Sequence, residues 1–221
     1  FMDKGVKVST TMAQPYAEER RGSSLIFGGI YNSKNGINNT NQFIEAEGIT
    51  KDLNPKYGTI QKLHTRDGDI VALCEDKIFK IIAYKDALYL ADGNPQLTAT
   101  NKVLGGTTPV RGEYGISKNP ESFVFQGYQT YFTDRVRGVV LRMSLDGLTP
   151  ISNVGMKDYF ADTLKTTTGN IIGTFDDKKT EYNVTLSGVT LAYNEGTDGW
   201  VSFRSYLPES GVSFNNDYYT K

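Results

Sequence analysis

With one cysteine, one histidine and one tryptophan in 221 residues, the chain is short of the side chains that carry most metal and redox chemistry. Cys74, being alone, cannot close an internal disulfide, and a solitary His64 cannot anchor a histidine-rich metal site. No apolar run approaches the ~18 residues of a transmembrane helix. The opening stretch, FMDKGVKVSTTMAQPYAEERRGSS, lacks the apolar core of a signal peptide, so the expectation is a soluble, unexported protein. An excess of either charge is missing too. The 24 basic and 25 acidic residues leave a formal net charge of -1, which supplies no electrostatic footprint for nucleic acid or anionic lipid, so any contact with DNA would be local.

What is present points to strands. Fourteen Tyr, eleven Phe and twenty-three Gly, with short apolar runs cut by Asn, Asp and Gly, favour strands and tight turns. Helical spacing is persuasive only in GMKDYFADTLK (155 to 165), where Met156, Tyr159, Phe160 and Leu164 fall on one face. One short surface helix is expected there.

The strand segments share a plan: an apolar run, a charged turn, a second apolar run. DIVALCEDKIFKIIAY (69 to 84) turns at Glu75, Asp76 and Lys77, and QTYFTDRVRGVVLRMS (129 to 144) at Asp134 to Gly138. NIIGTFDDKKTEYNVTL (170 to 186) turns at Asp176 to Thr180, and GVTLAYNEGTDGWVSF (188 to 203) at Asn194 to Gly199. A fainter relative, residues 23 to 44, turns around Lys34, Asn35 and Gly36. Residues 170 to 203 hold two hairpins joined only by Ser187-Gly188, which makes a four-stranded antiparallel meander, the content of one β-propeller blade. Hairpin starts near residues 23, 69, 129 and 170 are spaced by 46, 60 and 41, against roughly 40 to 50 residues per blade in propeller repeats. The long interval contains residues 91 to 122, rich in turn formers, read as an excursion between strands with room for one strand pair.

The expected fold is therefore all-β: a β-propeller or part of one, built of antiparallel meander blades, with one short helix near 155 to 165. Radial stacking covers both faces of each small sheet, which accounts for apolar residues at inward and outward positions in IVALC and VVLRM. A sandwich, the alternative, predicts cleaner alternation. Residues 1 to 22 read as an extended or linker segment and 23 to 221 as the propeller-like region. The chain opens on Phe1 and closes on NNDYYTK directly after a strand pattern, which suggests a piece of a longer polypeptide, with a trimmed domain as the other reading.

No catalytic, cofactor or metal residue is assigned. At YFTD (131 to 134) the reading is architectural: Asp134 hydrogen-bonds amides of its own turn, while Arg135 and Arg137 point to solvent. The functional alternative is an Arg pair recognising an acidic partner or phosphate. Glu75/Asp76 and Asp176/Asp177 are paired carboxylates, the currency of glycoside hydrolysis, but neighbours in a strand or turn point apart. The Asp-Gly turns in DGDI (67 to 70) and ADGNPQ (91 to 96) lack the alternating oxygen ligands of a calcium loop. His64 has no nucleophile elbow to serve and Cys74 no base, so both read as structural. The glycosylation triplets at Asn38 and Asn183 are discounted without a secretory signal. Trp200 reads as a core residue between blades, with an exposed sugar platform as its alternative.

The phrases CEDKIFKI, NPESF, DGLTPIS and GTFDDKKTEYNVTL, within a stretch covering residues 23 to 220, resemble very large virion structural proteins of tailed bacteriophages, including crAss-like and marine phages, of the propeller-containing tail nozzle or muzzle type. That resemblance implies a non-enzymatic virion tail component without cofactors. It also implies partners: other copies in a ring around the DNA channel, other tail or portal-proximal proteins, and DNA that passes without specific binding. The rival function is a tail-tip propeller that binds or cleaves host glycans, for which Asp134, Arg135 and Arg137 are the nominated residues.

Overall fold

The computed structural model of the chain describes residues 20–44, 48–89 and 95–221. Of the segment expected to be extended, residues 1 to 19 lie outside the described residues. Strand β1 (Ser24–Ile26) pairs antiparallel with β4 (Thr50–Asp52), and between them β2 (Tyr31–Asn32) and β3 (Ile37–Asn38) form a minimal hairpin. The expected turn at Lys34 to Gly36 is there. The first arm of the expected hairpin, however, continues into pairing with residues 50–52 instead.

Three four-stranded antiparallel meanders follow. The first comprises β5 (Ile60–Arg66), β6 (Asp69–Cys74), β7 (Ile78–Tyr89) and β8 (Pro95–Pro109), hydrogen-bonded in that order. Asp67 and Gly68, both at positive φ, close its β5–β6 hairpin with the two-residue turn that Asp-Gly favours. The second is β9 (Val124–Gln126), β10 (Gln129–Asp134), β11 (Val139–Ser144) and β12 (Gly147–Pro150). Helix α1 (Lys157–Thr166) separates it from the third, β13 (Ile172–Asp176), β14 (Glu181–Leu186), β15 (Val189–Asn194) and β16 (Gly199–Arg204). A last hairpin, β17 (Gly211–Phe214) and β18 (Asp217–Thr220), lies against β13. The charged corners fall where the sequence places them, at 75–77, 135–138, 177–180 and 195–198.

The excursion expected over 91 to 122 is corrected in its first half. Residues 95–109 are one strand, β8, running alongside a β7 that extends to Tyr89. Thr107 and Thr108 suit a pleated surface, and register shifts between Ile81 and Lys85 absorb the irregularity that makes the segment look like loop.

The stacking of the sheets explains why neighbouring residues of a strand are both apolar. In β6, Val71 and Leu73 join Ile78, Ile116, Phe132, Leu141 and Met143 between the first and second meanders. Ala72 and Cys74 face the other way, into Leu53, Phe79, Ile81 and Leu104. In β10 the split repeats: Phe132 belongs to that first seam, whereas Tyr131 packs between the second and third meanders with Tyr182, Val184, Leu191 and Tyr193. Phe160 and Leu164, one helical turn apart, bring α1 onto this second seam. The interiors of β6, β10 and β14 thus bury two faces, and near-continuous burial along these strands is the result.

Candidate functional site

The densest polar constellations sit at sheet corners rather than in a cleft. Asp134 ends β10 and is fully buried. Its Oδ1 accepts from the Arg137 amide at 3.1 Å and the Ser117 hydroxyl at 3.0 Å. Its Oδ2 accepts from the Gly115 amide at 3.2 Å and from Arg137 Nη1 at 2.8 Å. The expected capping of its own turn is therefore only a quarter of its work. Two of its four bonds reach the connection between the first and second meanders, and Arg137 Nη1 also lies 3.4 Å from Asp76 at the β6–β7 corner. Arg137 does not point to solvent as expected. Burial pulls its pKa down, but the bonds to Asp134 and Asp76 outweigh burial and raise it. Close approach makes this possible: a Cβ at Gly115 would stand 2.1 Å from the Glu75 carbonyl oxygen, a place no side chain can occupy.

A second corner joins the second and third meanders. Glu195, in the β15–β16 turn, accepts from Gln129 Nε2 at 3.1 Å, from Arg142 Nη1 at 2.8 Å and from the Tyr131 hydroxyl. Asp198 of the same turn accepts from the Tyr193 hydroxyl. The Tyr131 ring stacks on Tyr182 at 4.8 Å and 14°. Burial first, and then the bond to Glu195, raise the Tyr131 pKa, so the phenol stays protonated and acts as a donor. In the sequence 194–199 reads as a turn, with nothing to single out Glu195. The signal was absent, because its partners lie 53 to 66 positions away along the chain.

The other candidates go to separate places. Asp176 is buried and accepts from the amides of Lys178 and Lys179, an Asx-type cap of its own turn, whereas the Asp177 amide donates to Ser213 Oγ at 3.0 Å. Glu75 accepts from the Thr59 hydroxyl and amide, and the hydroxyl bond first of all lowers its pKa against the opposing effect of burial, while Asp76 takes Arg137. Neither carboxylate pair faces a common point. Cys74 is buried, and burial followed by the Glu75 charge pushes its thiol up to about 11, which leaves too little thiolate for a nucleophile. Trp200 donates to the Ile151 carbonyl at 3.1 Å and packs on Phe160 at 4.5 Å, as its core reading requires. Asn183 is 1 % exposed, out of reach of glycosylation. Asp69 of the DGDI turn pairs with Lys80 at 2.9 Å; most of the ADGNPQ turn lies outside the described residues. His64 rests between Phe123 and Phe125, apart from both Asp134 and Asp176. Among the described residues no group of three His, Cys, Asp or Glu is arranged to hold a metal ion, and no helix is long and apolar enough to cross a membrane.

Exposed apolar side chains are found on every sheet, and those of the first and last sheets form faces with no sheet packed on them among the described residues. On β17–β18 the side chains alternate: Ser213 and Tyr218 turn inward to bond the Phe175 carbonyl and Thr174, while Val212, Phe214 and Tyr219 form an outward face, 61, 72 and 55 % exposed. At the other end Leu25 packs inward while Ile26 is 64 % exposed, with Tyr31 and Ile37 exposed on the neighbouring hairpin.

No curated protein shows a significant match to the chain. A family profile of crassvirus muzzle proteins matches residues 48–221, and the chain belongs to that family, structural components of the phage tail.

Proposed function

We propose that the chain is a load-bearing, non-catalytic module of the tail, with its meanders arranged radially as propeller blades and its end faces seated against other copies of the protein in a ring. One observation carries this reading. The inner strands of the three meanders bury both faces in apolar seams, whereas the last hairpin presents Val212, Phe214 and Tyr219 to solvent. A face that packs like a blade interior but lies uncovered calls for a further sheet. Head-to-tail packing of unlike faces generates a ring when the rotation closes. Other tail proteins would meet the rim, and a net charge of -1 leaves passing DNA without a specific hold.

The test is self-association of the 221-residue chain by light scattering, with Val212→Asp/Phe214→Asp as the interrupting variant. The expected result is an oligomer that the double variant reduces to monomer while its circular dichroism is unchanged. A wild-type chain that remains monomeric at every concentration, or a variant that associates equally well, overturns the reading.

A further inference from the structure

One surface is unexplained by corner or seam. Along β5, Lys62, His64 and Arg66 share a face by strand alternation, and their neighbours confirm it. Lys62 Nζ stands 5.6 Å from the centroid of the Phe123 ring, and His64 lies 5.2 Å from Phe123 and 4.8 Å from Phe125, ring to ring. Beside them is a cleft of about 110 Å³, lined by His64, Arg66, Asp67, Phe125, Tyr128 and Thr130 among others. Two features separate this place from ordinary packing. Phe125 and Tyr128 are 55 and 70 % exposed, so their rings do not fill the seam they border. The Arg66 side chain is only 14 % exposed, yet its Nη2 is buried without a hydrogen-bond partner, and its Nε is 3.8 Å from Asp67. The guanidinium is thus incompletely paired within the chain, and Arg66 lines the cleft as a cation with unused donor capacity.

The geometry points to a binding subsite for a saccharide that carries a carboxylate, of the uronate or sialate class. The cleft takes the carboxylate, which a guanidinium donor such as Arg66 recognises by charge-assisted hydrogen bonds. Tyr128 and Phe125 supply flat, amphipathic surface for the ring that bears it. Burial, followed by the charges of Arg66 and Lys62, lowers the pKa of His64, so the imidazole is neutral and offers a hydroxyl one donor and one acceptor. Asp67, half exposed, accepts from a second hydroxyl. Nucleic acid fits less well: two cations flanked by an aspartate do not follow a phosphate backbone. A bare phosphate would leave the two exposed rings unused. The subsite lies on the strand that begins the first meander, away from the outward face of β17–β18, so it stands or falls independently of ring assembly.

The experiment is an oligosaccharide array bearing galacturonate, glucuronate and sialate termini beside neutral hexose counterparts, probed with the full chain and followed by titration of the best acidic oligomer. Binding of an acidic glycan over its neutral counterpart is expected, with a loss of roughly tenfold or more on Tyr128→Ala and on Arg66→Gln. Tyr128 is largely exposed, so its variant keeps the fold, which circular dichroism checks. The inference is overturned if no acidic glycan binds, if neutral counterparts or a ten-base single-stranded DNA bind equally, or if Tyr128→Ala binds as the wild type does.

Discussion

Removing the Asp134 carboxylate tests the idea that these corners bolt sheets together rather than merely reverse the chain. Asp134→Ala leaves four donor contacts without their acceptor: the amides of Gly115 and Arg137, the Ser117 hydroxyl and Arg137 Nη1. The donors are not equal. Arg137 is 31 % exposed and keeps Asp76 at 3.4 Å, so its ion pair counts for little after solvent screening. The bonds to Gly115 and Ser117 are buried, and a buried donor stripped of its partner costs about 1–3 kcal/mol. With a small cavity added, the expected destabilisation is about 3–5 kcal/mol, a large share of a typical stability of ~5–15 kcal/mol. Asp134→Asn keeps the shape but turns an amide NH2 toward one pair of donors, and about 2–4 kcal/mol is expected. Asp76→Ala, at the exposed end of the same chain of contacts, serves as the control at under ~1 kcal/mol. Urea unfolding followed by Trp200 fluorescence reads all three, with unchanged m values showing that the transitions stay comparable. If Asp134→Ala falls within ~0.5 kcal/mol of wild type, the corner is only a turn and the bolt argument fails.

Two further outcomes test the seams. A Cβ at Gly173 would lie 2.1 Å from the Ser122 carbonyl oxygen, so Gly173→Ala should cost about 2–4 kcal/mol, whereas Gly169→Ala, with nothing within 4 Å, should be near neutral; thermal melts of the two variants decide it. Because the folded-state pKa of Cys74 is raised to about 11, its thiolate is scarce at pH 8 and grows as pH rises toward that value. Labelling with a disulfide reagent should therefore be slow in the native protein and rapid in urea; fast native labelling at pH 8 would contradict the buried-thiol geometry.

Much of the local structure is legible in the residues. Short apolar runs, charged turns and a single 3.6-residue stripe place the hairpins and α1, because turn chemistry and side-chain period are short-range properties. β8 is hidden for the same reason: Gly105-Gly106 and the scattered polar residues of 95–109 look like loop until β7 lies alongside to pair with them. Asp134 is readable as a turn cap, since its own amide partner is three residues away. Its remaining partners are not, and neither is Glu195, because hydrogen bonds across 17 to 66 residues leave no periodicity behind.

Composition and spacing settle that this chain makes small antiparallel sheets with charged corners and rules out disulfide stapling and a His-rich metal site. Which corner meets which sheet, why Tyr131 and Phe132 face opposite seams, and where aromatic rings and a buried guanidinium gather beside β5 are matters of packing. They arise where the meanders pack face to face, and short-range sequence preferences carry no information about that packing.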